Sequence, residues 1–358
     1  MDYRLLALFM ILAVLAGCSE TVEDNCIPPL VNIRGECCMD ADNDSICDAE
    51  TTTTVAEPPV DIPEEEPIEL IELSDEPVIR RTTQQIIVNS RDLKEYYSVN
   101  LYANLLNVPV RTVLREDQST SILQGFGKYK PMALATSENV PVIEGYYDLI
   151  KSKGFNVNEV ILKDINLQLA KDIGDVDYII ISGDNPKDAA VVAPYAVYTR
   201  SYVIFADKSN INTVKDIILN KPGDIIIYSD VDQEVIDALS EFGPEVINEG
   251  DVYMNNVEIV RKFIALHDKK YGGTFPLKRF ILTDGKYMDE EIFKGEYPAL
   301  LIRRGNVPEE IMPVLLEADY VTLVGDDLFS TVQDLNLGLT IYNKYTGEQL
   351  QSSAFPVK

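Results

Sequence analysis

Four aspartates crowd one short stretch near the N-terminus, between cysteines. Asp40, Asp42 and Asp44 occupy alternate positions in "DADNDSICD", and Asp48 follows four residues later. Carboxylate oxygens that converge from one tight loop are the ligands Ca²⁺ prefers, whereas carboxylates at this spacing repel one another without a cation. The pattern therefore predicts a calcium site made of these four aspartates. The alternative is an acidic loop held only by its disulfides.

The same loop resembles half of an EF-hand or a thrombospondin type 3 repeat, in which short Asp-rich runs bind calcium beside disulfides. It departs from the EF-hand pattern at Ser45, where a glycine is expected, and at Thr51, where the twelfth-position glutamate is expected. The resemblance implies a calcium site that is not a standard EF-hand.

The chemistry of the cysteines depends on the compartment, which the N-terminus indicates. An apolar run from Leu5 to Val14 leads into Leu-Ala-Gly before Cys18, and it is too short to span a bilayer as a permanent helix. The segment resembles the signal peptide and lipobox of lipoproteins. This implies a signal peptide over residues 1–17 and a lipid on Cys18 that anchors the protein at the cell surface, outside the cytoplasm. An ordinary signal peptide or a plain N-terminal anchor is the alternative.

The remaining four cysteines are Cys26, Cys37, Cys38 and Cys47. Outside the cytoplasm, an even number of cysteines this close together predicts two disulfides. Three pairings are open, and the one that joins Cys37 to Cys38 is the least favourable because a bridge between neighbours strains the backbone. Residues 18–48 are thus expected to form a small lipidated module rich in Cys and Asp.

Charge separates the next segment from the rest of the chain. The net charge is −28, and residues 19–79 carry eighteen acidic side chains against one basic side chain. Residues 49–79 are rich in Thr, Pro and Glu, a composition that predicts a disordered linker. From Arg80 onward forty acidic residues face twenty-nine basic ones, and such an acidic chain without a basic stripe argues against nucleic acid as a partner.

After the linker, short apolar strands alternate with helix-period segments, which predicts an α/β fold with parallel sheets. The segment that begins at Ile86 repeats at Ile179 without a gap, with seven identities in twenty-five positions that include Lys94 with Lys187. A third copy begins at Phe280, and its first helix is about five residues shorter. The pattern predicts three Rossmann-like repeats. Their expected bounds are 80–175, 176–270 and 271–337, followed by a C-terminal β-hairpin over 338–358.

The second repeat resembles the type 2 cell-wall-binding repeat. Gly183, Asp188 and Ala189 match that family's Gly-x-x-x-x-Asp-Ala turn, and Ile247, Asp251 and Tyr253 match its closing segment. Glu249, Val252 and Asn255 depart from it, Val252 standing where the family has Arg, and Asp326 replaces a family glycine in the third repeat. The resemblance implies three packed α/β units that hold a surface protein on an anionic wall polymer.

Binding an anionic polymer requires Lys or Arg side chains directed at its phosphates or carboxylates. The candidates are Lys187, Arg200, Arg261 and the pair Arg303-Arg304, with Asp188 from the turn motif; for each cation, the alternative is a solvated surface charge. The predicted partner is an envelope polysaccharide or a surface-layer protein.

The sequence contains few of the motifs that indicate an enzyme. A dinucleotide site requires G-x-G-x-x-G at the strand-to-helix turn, whereas the turns here carry one glycine at most, so no nucleotide cofactor is expected. The only histidine, His267, has no visible Ser, Cys or acidic constellation behind it. We therefore predict a non-enzymatic cell-surface lipoprotein with a binding or structural role. A solute-binding lipoprotein of a transport system and an extracytoplasmic enzyme on a Rossmann-like scaffold are the alternatives.

Overall fold

A computed structural model describes residues 31–33, 36–38, 71, 73–183, 185–286, 288–325, 328–333, 340–343 and 349–351. The chain divides into two compact regions, Met1–Glu66 and Pro67–Lys358. In the N-terminal region, the described residues form an antiparallel pair of strands, β1 (Val31–Ile33) and β2 (Glu36–Cys38). Cys18, Cys26, Cys47, the four aspartates and residues 49–70 and 72 of the linker lie outside the described residues. The lipid, disulfide and calcium assignments therefore stay predictions. The end of the expected linker is ordered against the C-terminal region, where the amide of Val78 donates to Oδ2 of Asp172 at 2.8 Å.

The C-terminal region alternates strands with helices in three successive units. Unit 1 contains β3 (Gln85–Asn89), α1 (Leu93–Leu105), β4 (Val110–Thr112), β5 (Met132–Ser137), α2 (Tyr146–Ser152), β6 (Val157–Leu162) and α3 (Ile165–Asp172). Unit 2 contains β7 (Asp177–Ile181), α4 (Pro186–Thr199), β8 (Ser201–Phe205), α5 (Ile211–Asn220), β9 (Ile225–Tyr228), α6 (Gln233–Leu239), β10 (Glu245–Ile247) and α7 (Val252–Tyr271). Unit 3 contains β11 (Arg279–Thr283), β12 (Ala299–Leu301), α8 (Met312–Leu315), β13 (Tyr320–Val324), α9 (Leu328–Gln333), β14 (Thr340–Asn343) and β15 (Gln349–Gln351).

The three units share one sheet topology. In each, four parallel strands are ordered second, first, third, fourth, and in unit 3 an antiparallel β15 extends β14. Strands β3, β7 and β11 are central and almost wholly buried, which accounts for their continuous apolar sequence. The prediction of three α/β units with parallel sheets is confirmed. The first strand of the expected C-terminal hairpin is itself the fourth parallel strand of the third sheet. In the part of the chain that the structure describes, no helix is long and apolar enough to cross a membrane.

Equivalent hydrogen bonds place the units in register. The amides of Val113, Ala206 and Ile302 donate to the carbonyls of Val88, Ile181 and Thr283 respectively. The connection between the two bonded residues is six residues shorter in unit 3, where a 3₁₀ turn over Ile292–Lys294 stands in place of the long helix. The shortened third copy expected from the sequence therefore has a structural counterpart.

One aromatic cluster joins all three units. The ring of Tyr97 on α1 lies 5.4 Å from Phe205 of unit 2 and 5.2 Å from Phe293 of unit 3, in edge-to-face contacts. All three side chains are buried. Because one side chain from each unit meets here, the units pack through a shared core, and the other face of the unit 1 sheet has a second apolar cluster of its own.

Asparagine side chains connect each unit to the next. Asn166 on α3 donates its amide to the carbonyl of Val203 at 2.9 Å and accepts from the amide of Phe205 at 3.0 Å. Asn256 on α7 does the same to β12: Nδ2 donates to Ala299 at 2.8 Å and Oδ1 accepts from Leu301 at 2.7 Å. In both junctions a side-chain amide pairs with the outer edge of the second strand of the following unit, where a further strand would otherwise pair.

The junction between units 3 and 1 is built differently. Strand β4 is the counterpart of β8 and β12, and its Arg111 forms an ion pair with Glu290 at 2.9 Å. The hydroxyl of Tyr96 donates to the carbonyl of Met288 at 3.0 Å. Both partners come from the loop of unit 3, so no helix crosses this junction within the described residues.

Candidate binding site at the junction of units 2 and 3

The strand-to-helix turns are where this fold places ligands, and here they are packed against neighbouring units. A side-chain carbon added at Gly183 would collide with the ammonium group of Lys94, and one added at Gly285 would lie 2.7 Å from Cγ of Lys187. Gly285 also has a φ of 74°, which favours glycine. Each turn glycine thus makes room for a lysine of the preceding unit, and Lys94 and Lys187 are the pair identical in the sequence repeat.

Asp188 lies one residue beyond Lys187, in the first turn of α4, and it is 1% exposed. Its Oδ2 accepts from Nδ2 of Asn185 at 2.9 Å, while Oδ1 is buried without a hydrogen-bond partner among the described residues. Burial raises the pKa of Asp188 to about 6, against smaller opposing effects of Ser229 and Asn185. The neighbouring hydroxyl of Tyr228 is also buried without a partner. A buried carboxyl group is therefore under-solvated here.

A polar network continues from Asp188 toward α7. Ser229 has a left-handed φ of 69°, and its backbone N–H donates a hydrogen bond to the carbonyl of Ile247. The Ser229 hydroxyl accepts from Nδ2 of Asn255 at 3.3 Å. Asn255 also accepts from the amide of Glu249 at 2.6 Å. Asp251 caps the start of α7 by accepting from the amides of Tyr253 and Met254. The closing segment of unit 2 is therefore fixed by its own polar side chains.

Unit 3 contributes a cation to this network. The guanidinium of Arg303 lies 4.8 Å from the ring centre of Tyr253, and its Nε donates to the Tyr253 hydroxyl at 2.5 Å. The Arg303 backbone is paired with Asn306 in a tight turn, so the side chain starts from a fixed position. Tyr253 is buried, whereas Arg303 is exposed. The junction therefore presents a positioned, solvent-facing guanidinium beside polar side chains.

Val252 bears no charge at the position where the repeat that this sequence resembles has Arg. The side chain of Val252 is half-buried and packs on the core. Arg303 places a guanidinium on the next residue, Tyr253, from across the junction. Unit 2 thus has no cation at position 252, but Arg303 of unit 3 places one against Tyr253.

The structure brings together only some of the predicted residues. Asp188, Lys187 and Arg303 all lie at the carboxyl ends of the strands, with Arg304 next to Arg303. Arg200 follows the end of α4 in a left-handed conformation and lies at the amino-terminal ends of the strands. Arg261 is exposed midway along α7. Sequence reasoning missed the site roles of Tyr253, Ser229 and Asn255. The signal available for Tyr253 was its match, together with Asp251, to the closing segment of the cell-wall-binding repeat that the sequence resembles.

The chemistry open to this site is recognition of an anion. Within the described residues, no group of three or more His, Cys, Asp or Glu side chains is arranged to hold a metal ion. His267 lies near the C-terminal end of α7, whereas Ser229 and Asp251 lie at its beginning. The exposed guanidinium of Arg303 can bind a carboxylate or phosphate through charge-assisted hydrogen bonds.

Three like sheets packed through one core define a three-unit α/β fold of the Rossmann-like kind. Two of the solved structures that share it are cell-wall proteins from Clostridium difficile. Cwp8 has a TM-score of 0.54 at 15% identity and matches 70% of this chain and 46% of its own; Cwp6 has a TM-score of 0.54 at 16% identity and matches 68% and 42%. This chain thus spans less than half the length of each of these proteins. No protein-family model matches the sequence, and no curated protein matches it.

Proposed function

We propose that the protein is a non-enzymatic cell-surface lipoprotein whose three units are divergent cell-wall-binding repeats. Their role is to bind an anionic envelope polymer or to form part of a surface structure. The observation that carries the proposal is the guanidinium of Arg303, held over Tyr253 at a junction between units. The shared fold of Cwp8 and Cwp6 supports it.

The physical argument concerns preorganisation. An exposed arginine normally loses side-chain entropy when it binds an anion, and this loss offsets much of the gain. Tyr253 already restrains Arg303, so less entropy remains to be lost when a carboxylate or phosphate arrives. In a protein of net charge −28, which repels anions at long range, local geometry of this kind has to supply the affinity.

The test compares Arg303→Ala with Arg115→Ala in the full chain. Arg115 is another exposed arginine, in unit 1, and serves as the matched control. We expect Arg303→Ala to weaken co-sedimentation with purified anionic envelope polymer by about tenfold to a hundredfold, the worth of a lost charge-assisted hydrogen bond. The melting temperature should stay close to that of the wild type. Equal binding by wild type and Arg303→Ala would refute this site.

Membrane attachment is proposed to occur through Cys18. Because Cys18 follows Leu-Ala-Gly after a short apolar run, Cys18→Ser should abolish labelling by a radioactive or alkyne-tagged fatty acid and release the protein from membranes. A Cys18→Ser variant that remains in the membrane after a carbonate wash would show that the apolar segment itself is the anchor. Calcium binding by Asp40, Asp42, Asp44 and Asp48 remains part of the same proposal for the N-terminal module.

A further inference from the structure

The C-terminal half of α7 has the opposite charge to the rest of the protein. The stretch "RKFIALHDKKY" contains Arg261, Lys262, Lys269 and Lys270 against a single acidic residue, Asp268. Lys262 forms an ion pair with Glu245, but no ion pair involves the two lysines at the helix end within the described residues. A cationic surface thus lies at the amino-terminal edge of the sheets, opposite the edge that carries Arg303.

Aromatic rings surround these lysines. The ammonium group of Lys270 lies 5.2 Å from the ring centre of Tyr198 on α4 and 5.3 Å from that of Tyr271. His267 packs on Tyr271 with ring centres 4.6 Å apart, and Tyr198 packs on Phe263 at 4.5 Å. The rings are therefore fixed by their neighbours and by the end of the helix, and Lys270 lies between two of them.

Exposure distinguishes this cluster from a core contact. The side chain of Tyr271 is 44% exposed, and Lys269 and Lys270 are both exposed. A half-exposed aromatic ring is thus held by a histidine, with exposed ammonium groups beside it. Flat aromatic faces pack well against flat apolar groups, and the ammonium groups add attraction for anions.

Within the described residues, two buried polar atoms near Lys270 have no hydrogen-bond partner. They are the hydroxyl of Tyr198 and Nδ1 of His267, which lies 3.7 Å from the Asp268 carboxylate, too far for a hydrogen bond. A buried polar atom without a partner is unfavourable. Ligand hydroxyl groups, which both donate and accept, are suited to pair with such atoms.

We infer that this surface, formed by Tyr198, His267, Lys269, Lys270 and Tyr271, is a second binding site and that it takes an anionic glycan. The apolar face of a pyranose ring would stack on Tyr271, and a carboxylate or phosphate on the sugar would be paired by Lys269 and Lys270. The inference rests on the proposed function only in that both sites bind envelope polymer. It narrows that polymer to one built of sugar rings.

The test uses probes that separate ring stacking from charge. A short oligogalacturonide supplies pyranose rings with carboxylates, poly-L-glutamate supplies carboxylates without rings, and dextran supplies rings without charge. We expect the full chain at low salt to bind the oligogalacturonide in calorimetry and to bind dextran at least tenfold more weakly. Lys270→Ala should weaken binding of both anionic probes.

The Tyr271→Ala variant decides the point, with Phe275→Ala as the matched control because Phe275 is a nearby aromatic that is 70% exposed. Tyr271→Ala should weaken oligogalacturonide binding about fivefold to tenfold and leave poly-L-glutamate binding unchanged, since only stacking is lost. Phe275→Ala should change neither. If Tyr271→Ala leaves oligogalacturonide binding unchanged, or weakens both anions equally, the surface is not a glycan site.

The outcome can be separated from that of the proposed function. Arg303→Ala should retain the Tyr271-dependent binding of the oligogalacturonide, because Arg303 lies at the opposite edge of the sheets. Absence of oligogalacturonide binding by the wild type at low salt would overturn this inference. The proposal for Arg303 would be unaffected, because it is tested separately by binding of the envelope polymer.

Discussion

Replacement of Asn256 by alanine should destabilise the C-terminal region by about 3–5 kcal/mol, because two buried backbone groups lose their partners at once. Asn256 is fully buried, and its amide satisfies the carbonyl of Ala299 and the N–H of Leu301. Alanine cannot replace either bond. The loss should appear as a lower midpoint in urea denaturation, followed by circular dichroism.

Hydrogen exchange at Leu301 provides a local readout of the same change. Its amide should be well protected in the wild type and lose protection in Asn256→Ala more than the amides of β11 do. Asn220→Ala is the matched control, because that exposed side chain bonds only within its own helix, and it should change stability by less than about 0.5 kcal/mol. A loss below about 1 kcal/mol for Asn256→Ala would mean that the junction does not depend on this amide.

The second large effect concerns the buried carboxyl group of Asp188, for which Asn is the neutral isostere. Its folded-state pKa of about 6 lies above the value of about 3.9 expected in an unfolded chain. The stability that this group contributes is therefore fully present below pH 4 and is lost as the pH rises through 6. At pH 7.5 we expect Asp188→Asn to be more stable than the wild type by about 2–3 kcal/mol.

The pH dependence of the difference is the decisive measurement. The advantage of Asp188→Asn should shrink between pH 7 and pH 4.5, because the wild-type carboxyl group becomes neutral over that range. Asp216→Asn, an exposed aspartate on α5, should show no such trend. If the two variants behave alike, burial does not raise the pKa of Asp188. The description of Asp188 as an under-solvated carboxyl group would then be wrong.

The sequence predicted the fold well because the central strands are continuous apolar runs. The runs at Ile86, Tyr178 and Phe280 became β3, β7 and β11, and the ninety-three-residue offset placed Val113 and Ala206 in equivalent hydrogen bonds. The fourth strands β6 and β10 were not predicted. β6 is an edge strand with exposed polar positions and β10 has three residues, so neither shows the apolar periodicity on which a strand prediction rests.

The candidate site was predictable only in part, because it lies between units. Asp188 could be found from its turn motif, and Arg303 was one of several equivalent cations along the chain. Its pairing with Tyr253 depends on how unit 3 packs against α7, and no periodicity within one unit encodes that contact. The same reason explains why the asparagines at the junctions were not singled out: Asn166 and Asn256 look like ordinary polar helix residues until the next unit is in place.

The direction in which the asparagine helices cross the junctions has a consequence for biosynthesis. Helix α3 precedes β8 in the chain, and α7 precedes β12, so a ribosome completes each covering helix before the strand that it covers. Exposed strand edges invite pairing with other chains, and they are most vulnerable while a protein is incomplete. Here the outer edges of β8 and β12 are shielded as soon as they form, and the uncovered outer edge of β4 carries a charged Arg111 at its centre. The order of elements along the chain thus protects the nascent protein against association with its neighbours during synthesis.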